Sequence, residues 1–87
     1  MAVFMVERDL KGIAMDDLAA AQKAAMATAE AMRGEGSYVR YMHSSFVPGD
    51  GRCMCFFDGA SADEVRALND RAGLPYSGVT EALDLRP

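Results

Sequence analysis

The sequence predicts an α+β domain in which two helices lie on one face of a four-stranded antiparallel sheet. Three observations predict it: short apolar and β-branched runs at both ends and in the middle of the chain, an alanine-rich stripe at helical spacing between Met15 and Arg33, and a second helix bounded by capping signals at Ser61 and Gly73. Their order reads β, α, β, β, α, β over one domain, residues 1–87.

Each element follows from local chemistry. Ala2 to Val6 are all apolar and give way to Glu7, Arg8, Asp9 and then Gly12, a first strand leaving into a turn. From Met15 to Arg33, the residues Met15, Leu18, Ala25, Ala29 and Met32 form one helical stripe, interrupted by Gln22. Asp16 and Asp17 suit the positive end of that helix dipole, and Gly34 and Gly36 mark its stop. The wealth of alanine gives the helix high propensity and a narrow profile, so it can lie close to a sheet.

Tyr38 to Val47 is rich in β-branched and aromatic residues, and Pro48-Gly49-Asp50-Gly51 should turn the chain back so that Arg52 to Phe57 pairs with it. Ser61 and Glu64 form a capping box at the start of the second helix. Val65, Leu68 and Ala72 supply its apolar stripe, and Gly73-Leu74-Pro75 ends it. Val79 to Leu85 alternates as a fourth strand, with Val79, Glu81, Leu83 and Leu85 expected on one face. The order is the split βαβ, ferredoxin-like pattern, with both helices on one face of the sheet and the other face uncovered.

That uncovered face predicts a partner. Phe4 and Val6 oppose Val3 and Met5, while Cys53, Cys55 and Phe57 oppose Met54 and Phe56. Both faces of the central strands are therefore apolar, whereas a solvated sheet face reads polar. A chain of this size buries only about 60% of its unfolded surface, and a homodimer closed over the free face relieves the shortage. Loose patterning in short strands is the alternative.

Nine Lys and Arg against thirteen Asp and Glu leave a net charge of −4, which argues against nucleic acid and anionic membranes. No apolar run is long enough to span a bilayer, and Met1 to Arg8 lacks a basic flank with a long apolar stretch, so the expected location is cytoplasmic. Cys53 and Cys55, one residue apart, do not form the framework of a disulfide-rich secreted domain.

The chain has no P-loop, dinucleotide fingerprint, nucleophile elbow or paired CxxC. The residues able to carry chemistry are Glu7, Tyr41, His43, Cys53, Cys55, Glu81 and Asp84. His43 is the single histidine; alternation along Arg40 to Ser45 places it with Tyr41 and Ser45, as a metal ligand, an acid/base, or a half-buried residue bonded to a neighbour. Cys53 and Cys55 are soft donors for a transition metal, or simply small buried hydrophobes. In a 4-1-3-2 sheet the first and fourth strands are neighbours, so Glu7 and Glu81 are expected to converge at one end of the free face, although ion pairing of Glu7 with Arg8 or Arg40 is the alternative.

A family resemblance adds to this reading. Glu7-Arg8-Asp9-Leu10 with Gly12, Val39-Arg40-Tyr41 with Ser44, Cys53-Met54-Cys55-Phe56, Leu68-Asn69 with Arg71 to Pro75, and Val79 to Leu83 together resemble a bacterial family of small ferredoxin-like domains labelled nickel-binding or nickel-responsive. The resemblance covers nearly the whole chain. It implies a dimer and the binding of nickel, as in at least one member.

Three functions follow. The first is a protein that binds nickel or another divalent transition metal through His43, Glu7, Cys53 and Cys55, on the free face or between subunits. The second is an enzyme of the dimeric α/β-barrel type acting on a small organic molecule, with His43 in the wall of a closed pocket as acid/base and Tyr41 and Arg40 as positioning groups. The third is a protein–protein interaction module.

Overall fold

The computed structural model describes residues 2–87, so Met1, the first residue of the predicted domain, lies outside the described residues. The elements are β1 (Ala2–Asp9), α1 (Met15–Gly34), β2 (Arg40–Phe46), β3 (Arg52–Gly59), α2 (Ala62–Ala72) and β4 (Gly78–Ala82). The strands form one antiparallel sheet in the order β2-β3-β1-β4. This is the predicted βαββαβ, ferredoxin-like arrangement.

Alternation decides the sheet's two faces. Phe4, Val6 and Arg8 of β1 and Cys53, Cys55 and Phe57 of β3 are buried on the side that packs against the helices. Val3, Met5, Met54 and Phe56 fall on the opposite side, where they stay partly exposed. The helices complete the core with Ala25, Ala29 and Met32 from α1 and Val65 and Leu68 from α2. Small side chains at 25 and 29 let α1 sit low on the sheet, while each fully buried large residue such as Phe57 or Leu68 contributes about 1.5–3 kcal/mol.

The second helix behaves as its signals predict, with one variation. Ser61 Oγ accepts from Glu64 N at 3.1 Å, but the Glu64 carboxylate reaches back one residue further than in a standard box, accepting from Ala60 N at 3.1 Å. At the other end Gly73 is left-handed (φ 71°), and Leu74 N donates to Asn69 O at 3.0 Å, closing the helix.

The structure corrects four details. First, β1 runs on to Asp9, because pairing continues to Asp9↔Arg52. Second, β4 stops at Ala82, where its ladder with β1 ends at Val3↔Ala82, so Leu83 and Leu85 are 81% and 85% exposed instead of sharing a strand face. Third, a β-bulge between Tyr41 and His43 breaks the alternation of β2. Tyr41 opposes Phe57 on the helix side, but His43 and Ser45 oppose Phe56 and Met54 on the open side, so the expected trio does not share a face. Fourth, Glu81 opposes Phe4 on the helix side whereas Glu7 opposes Met54 on the open side, so the two carboxylates diverge.

Candidate functional site

Two regions of the sheet carry the polar and soft side chains, and they lie on opposite faces. Beneath α1, a small cleft is lined by Arg8, Gln22, Tyr41, Ser44, Cys53 and Cys55 among apolar residues of α1 and the loops. It admits a water-sized sphere over only about 20 Å³, room for roughly one water molecule.

A chain of hydrogen bonds crosses this cleft. Gln22 Nε2 donates to Tyr41 Oη at 3.0 Å, Tyr41 and Ser44 share a hydroxyl bond of 2.6 Å, and Ser44 Oγ donates to Cys55 Sγ at 2.9 Å. Cys55 Sγ then lies 3.8 Å from Cys53 Sγ. Gln22, the polar interruption of the helical stripe, thus anchors the outer end of the chain. Both cysteines are free and buried. Burial and the neighbouring Cys55 push the Cys53 thiol up to about 11, against the opposing pull of the Arg8 guanidinium.

Arg8 is the cross-strand neighbour of Cys53 and is 5% exposed. Its guanidinium donates to Asn69 Oδ1 at 2.9 Å and to Pro75 O at 3.2 Å. Asn69, itself fully buried, also donates from Nδ2 to Val65 O at 2.9 Å. Sequence reasoning placed neither Arg8 nor Asn69 in a site. The signal was available in their parity: Arg8 continues the inward series Phe4, Val6, and Asn69 lies four residues after Val65 on the buried side of α2.

The open face has a different character. Its apolar centre is Val3, Met5, Met54 and Phe56, and the His43 ring stacks on Phe56 with centroids 4.8 Å apart and an interplanar angle of 22°. Arg40 and Asp58 form an ion pair of 2.6 Å at one end, and Glu7, Asp9 and Arg52 are exposed at the other. Asp84 follows β4 and pairs with Arg86 at 2.9 Å.

The four expected metal ligands are therefore divided. Cys53 and Cys55 meet in the cleft, while His43 and Glu7 project from the open face. Counting strand spacings and residue rises from His43 to Glu7 puts them about 12 Å apart. Among the described residues no three of His, Cys, Asp and Glu side chains converge. Nickel(II) favours a tetragonal set of several donors, and one copy of the chain does not assemble such a set. His43 is also absent from the cleft wall.

The fold and the site define a small ferredoxin-like α+β domain with a thiol-lined cleft and an uncovered sheet face. The family model described as "Nickel responsive protein SCO4226-like" matches residues 4–82, and the chain belongs to that family. Among solved structures it is similar to the one described as "Crystal structure analysis of SCO4226 from Streptomyces coelicolor A3(2)", with 26% identity, a TM-score of 0.81, and coverage of 99% of this chain and 100% of that one. No curated protein matches. No helix among the described residues is long and apolar enough to cross a membrane.

Proposed function

We propose that this chain is a small transition-metal-binding protein that works as a homodimer, with its open sheet faces turned towards each other. The observation that carries the proposal is the open face itself. An apolar centre there holds the chain's single imidazole, His43, flat against Phe56, with the exposed carboxylate of Glu7 further along the sheet. A divalent ion needs more donors than one face supplies, and a two-fold partner doubles both groups at once. The family's description as nickel-responsive makes nickel(II) the ion to test first.

Light scattering and calorimetry on the tag-free protein test both halves. A dimer is expected at micromolar concentration, converted to a monomer by Phe56→Glu, which places a charge at the centre of the interface. Nickel binding should weaken at least tenfold in His43→Ala. A monomeric wild type, or nickel affinity indifferent to His43→Ala, overturns the corresponding half.

A further inference from the structure

Among the described residues, the buried Arg8 has no counter-ion. Both groups that it bonds, the Asn69 amide and the Pro75 carbonyl, are neutral. None of the ion pairs among the described residues includes it, and its sequence neighbours Glu7 and Asp9 project from the other face. A buried cation without an anion is costly, and it persists where something negative comes to it. The groups beside it that can become negative are the thiols of Cys53, its cross-strand partner, and Cys55.

The two sulfurs are set for a shared ion. They occupy successive inward positions of one strand and lie 3.8 Å apart. With metal–sulfur bonds of about 2.3 Å, a two-coordinate linear ion holds its sulfurs roughly 4.6 Å apart, so the pair has to open by under about 1 Å, a side-chain torsion's worth of movement, to take one. The cleft has room for roughly one water-sized body. It offers sulfur and hydroxyl but no carboxylate and no imidazole, a donor set that selects soft cations.

Charge decides the valence. Binding follows M⁺ + 2 RSH → [M(SR)₂]⁻ + 2 H⁺, so a monovalent ion leaves one negative charge against the one positive charge of Arg8. A divalent ion on the same two thiolates is neutral and leaves Arg8 uncompensated. We propose that the cleft under α1 is a second metal site, separate from the open face, which binds one soft monovalent cation of the copper(I) type between Cys53 and Cys55, with Arg8 as its counter-charge. Ser44, donating to the Cys55 sulfur, orients the ligand.

The test uses the full chain under anaerobic conditions, with copper(I) supplied from a bicinchoninate buffer. One copper per chain should leave the chelator, with an ultraviolet thiolate-to-copper charge-transfer band, and copper-edge absorption should show two sulfur neighbours. Release of two protons makes affinity climb by roughly a hundredfold per pH unit near neutrality. Cys53→Ser and Cys55→Ser should each weaken uptake at least tenfold, and His43→Ala should leave it unchanged, which separates this site from the open face. Excess zinc(II) or nickel(II) should not displace the copper. Arg8→Met should narrow the copper(I)-over-zinc(II) preference at least tenfold, while Arg8→Lys retains it. Nitrogen or oxygen neighbours at the copper edge, measured on the wild type without any variant, overturn the proposal. So does displacement by zinc(II), or uptake that survives loss of both thiols.

Discussion

Replacing Asn69 by leucine removes the amide that holds Arg8 while nearly conserving volume, so the loss it causes is polar and not a cavity. Asn69 makes two buried bonds, accepting from Arg8 Nη2 at 2.9 Å and donating to Val65 O at 2.9 Å. The second contributes little, because Val65 O lies within α2 and keeps its helical partner. The first is a hydrogen bond to a charged group, of about 1.5–3 kcal/mol. Arg8 retains its bond to Pro75 O, which caps the penalty of the stranded charge, so a net loss of about 2–3 kcal/mol is expected. For a domain of this size that lowers the thermal midpoint by roughly 10–20 °C. Urea titration followed by circular dichroism measures it, at fixed protein concentration because a dimer's stability depends on concentration. Combining Asn69→Leu with Arg8→Met should recover much of the loss, since removing both members of a buried polar pair is close to neutral. A loss under about 0.5 kcal/mol, or strict additivity in the double variant, refutes the claim that Asn69 stabilises a buried guanidinium.

Titration, capping and turn geometry carry further expectations. The Cys53 thiol, raised from 9.0 to about 11, stays protonated in the folded chain while the unfolded chain loses its proton; stability therefore falls as pH rises through that window, by about 2 kcal/mol, and Cys53→Ala should flatten the decline. Ser61→Ala removes the cap on Glu64 N and should cost about 1 kcal/mol in urea titration. Gly51 and Gly12 both have positive φ, 80° and 81°, but a Cβ on Gly51 runs into the Lys11 backbone whereas one on Gly12 meets nothing. Gly51→Ala should therefore cost about 2 kcal/mol or more and clearly exceed Gly12→Ala, and equal losses would show that conformation alone sets both.

Most of the fold was legible because helix ends and strand parity are local. Ser61, Gly73 and Pro75 fix α2 by capping chemistry, and Phe4 and Val6 share a face by the geometry of any strand. The site was less legible because it depends on register. Parity puts Arg8 on the side of Phe4 and Val6 only if the strand continues that far, and nothing in Ala2 to Val6 says that pairing with β3 will carry β1 on to Asp9 and set Arg8 beside Cys53. Likewise, the exposure of Leu83 and Leu85 reflects where the partner strand ends, not their own apolar character. The divergence of Glu7 and Glu81 has the same origin: neighbouring strands are no guarantee of a shared face.

The bulge in β2 separates two chemistries that straight alternation would have merged. Without the extra residue at Met42, the register that sets Tyr41 against Phe57 would set His43 against Cys55, joining an imidazole to the two thiols in one cleft. Such a Cys₂His set resembles the donor sets that hold zinc. With the bulge, Ser44 takes that place, and His43 turns through the sheet to stack on Phe56. The cleft is left with two sulfurs, a hydroxyl relay and a guanidinium, too few donors for a closed divalent site and the wrong charge for one. The open face is left with an imidazole and no thiol beside it. A single inserted residue thus keeps soft-donor and borderline-donor chemistry on opposite sides of a sheet only one strand-layer thick, which is why the two proposed sites can be tested, and fail, independently.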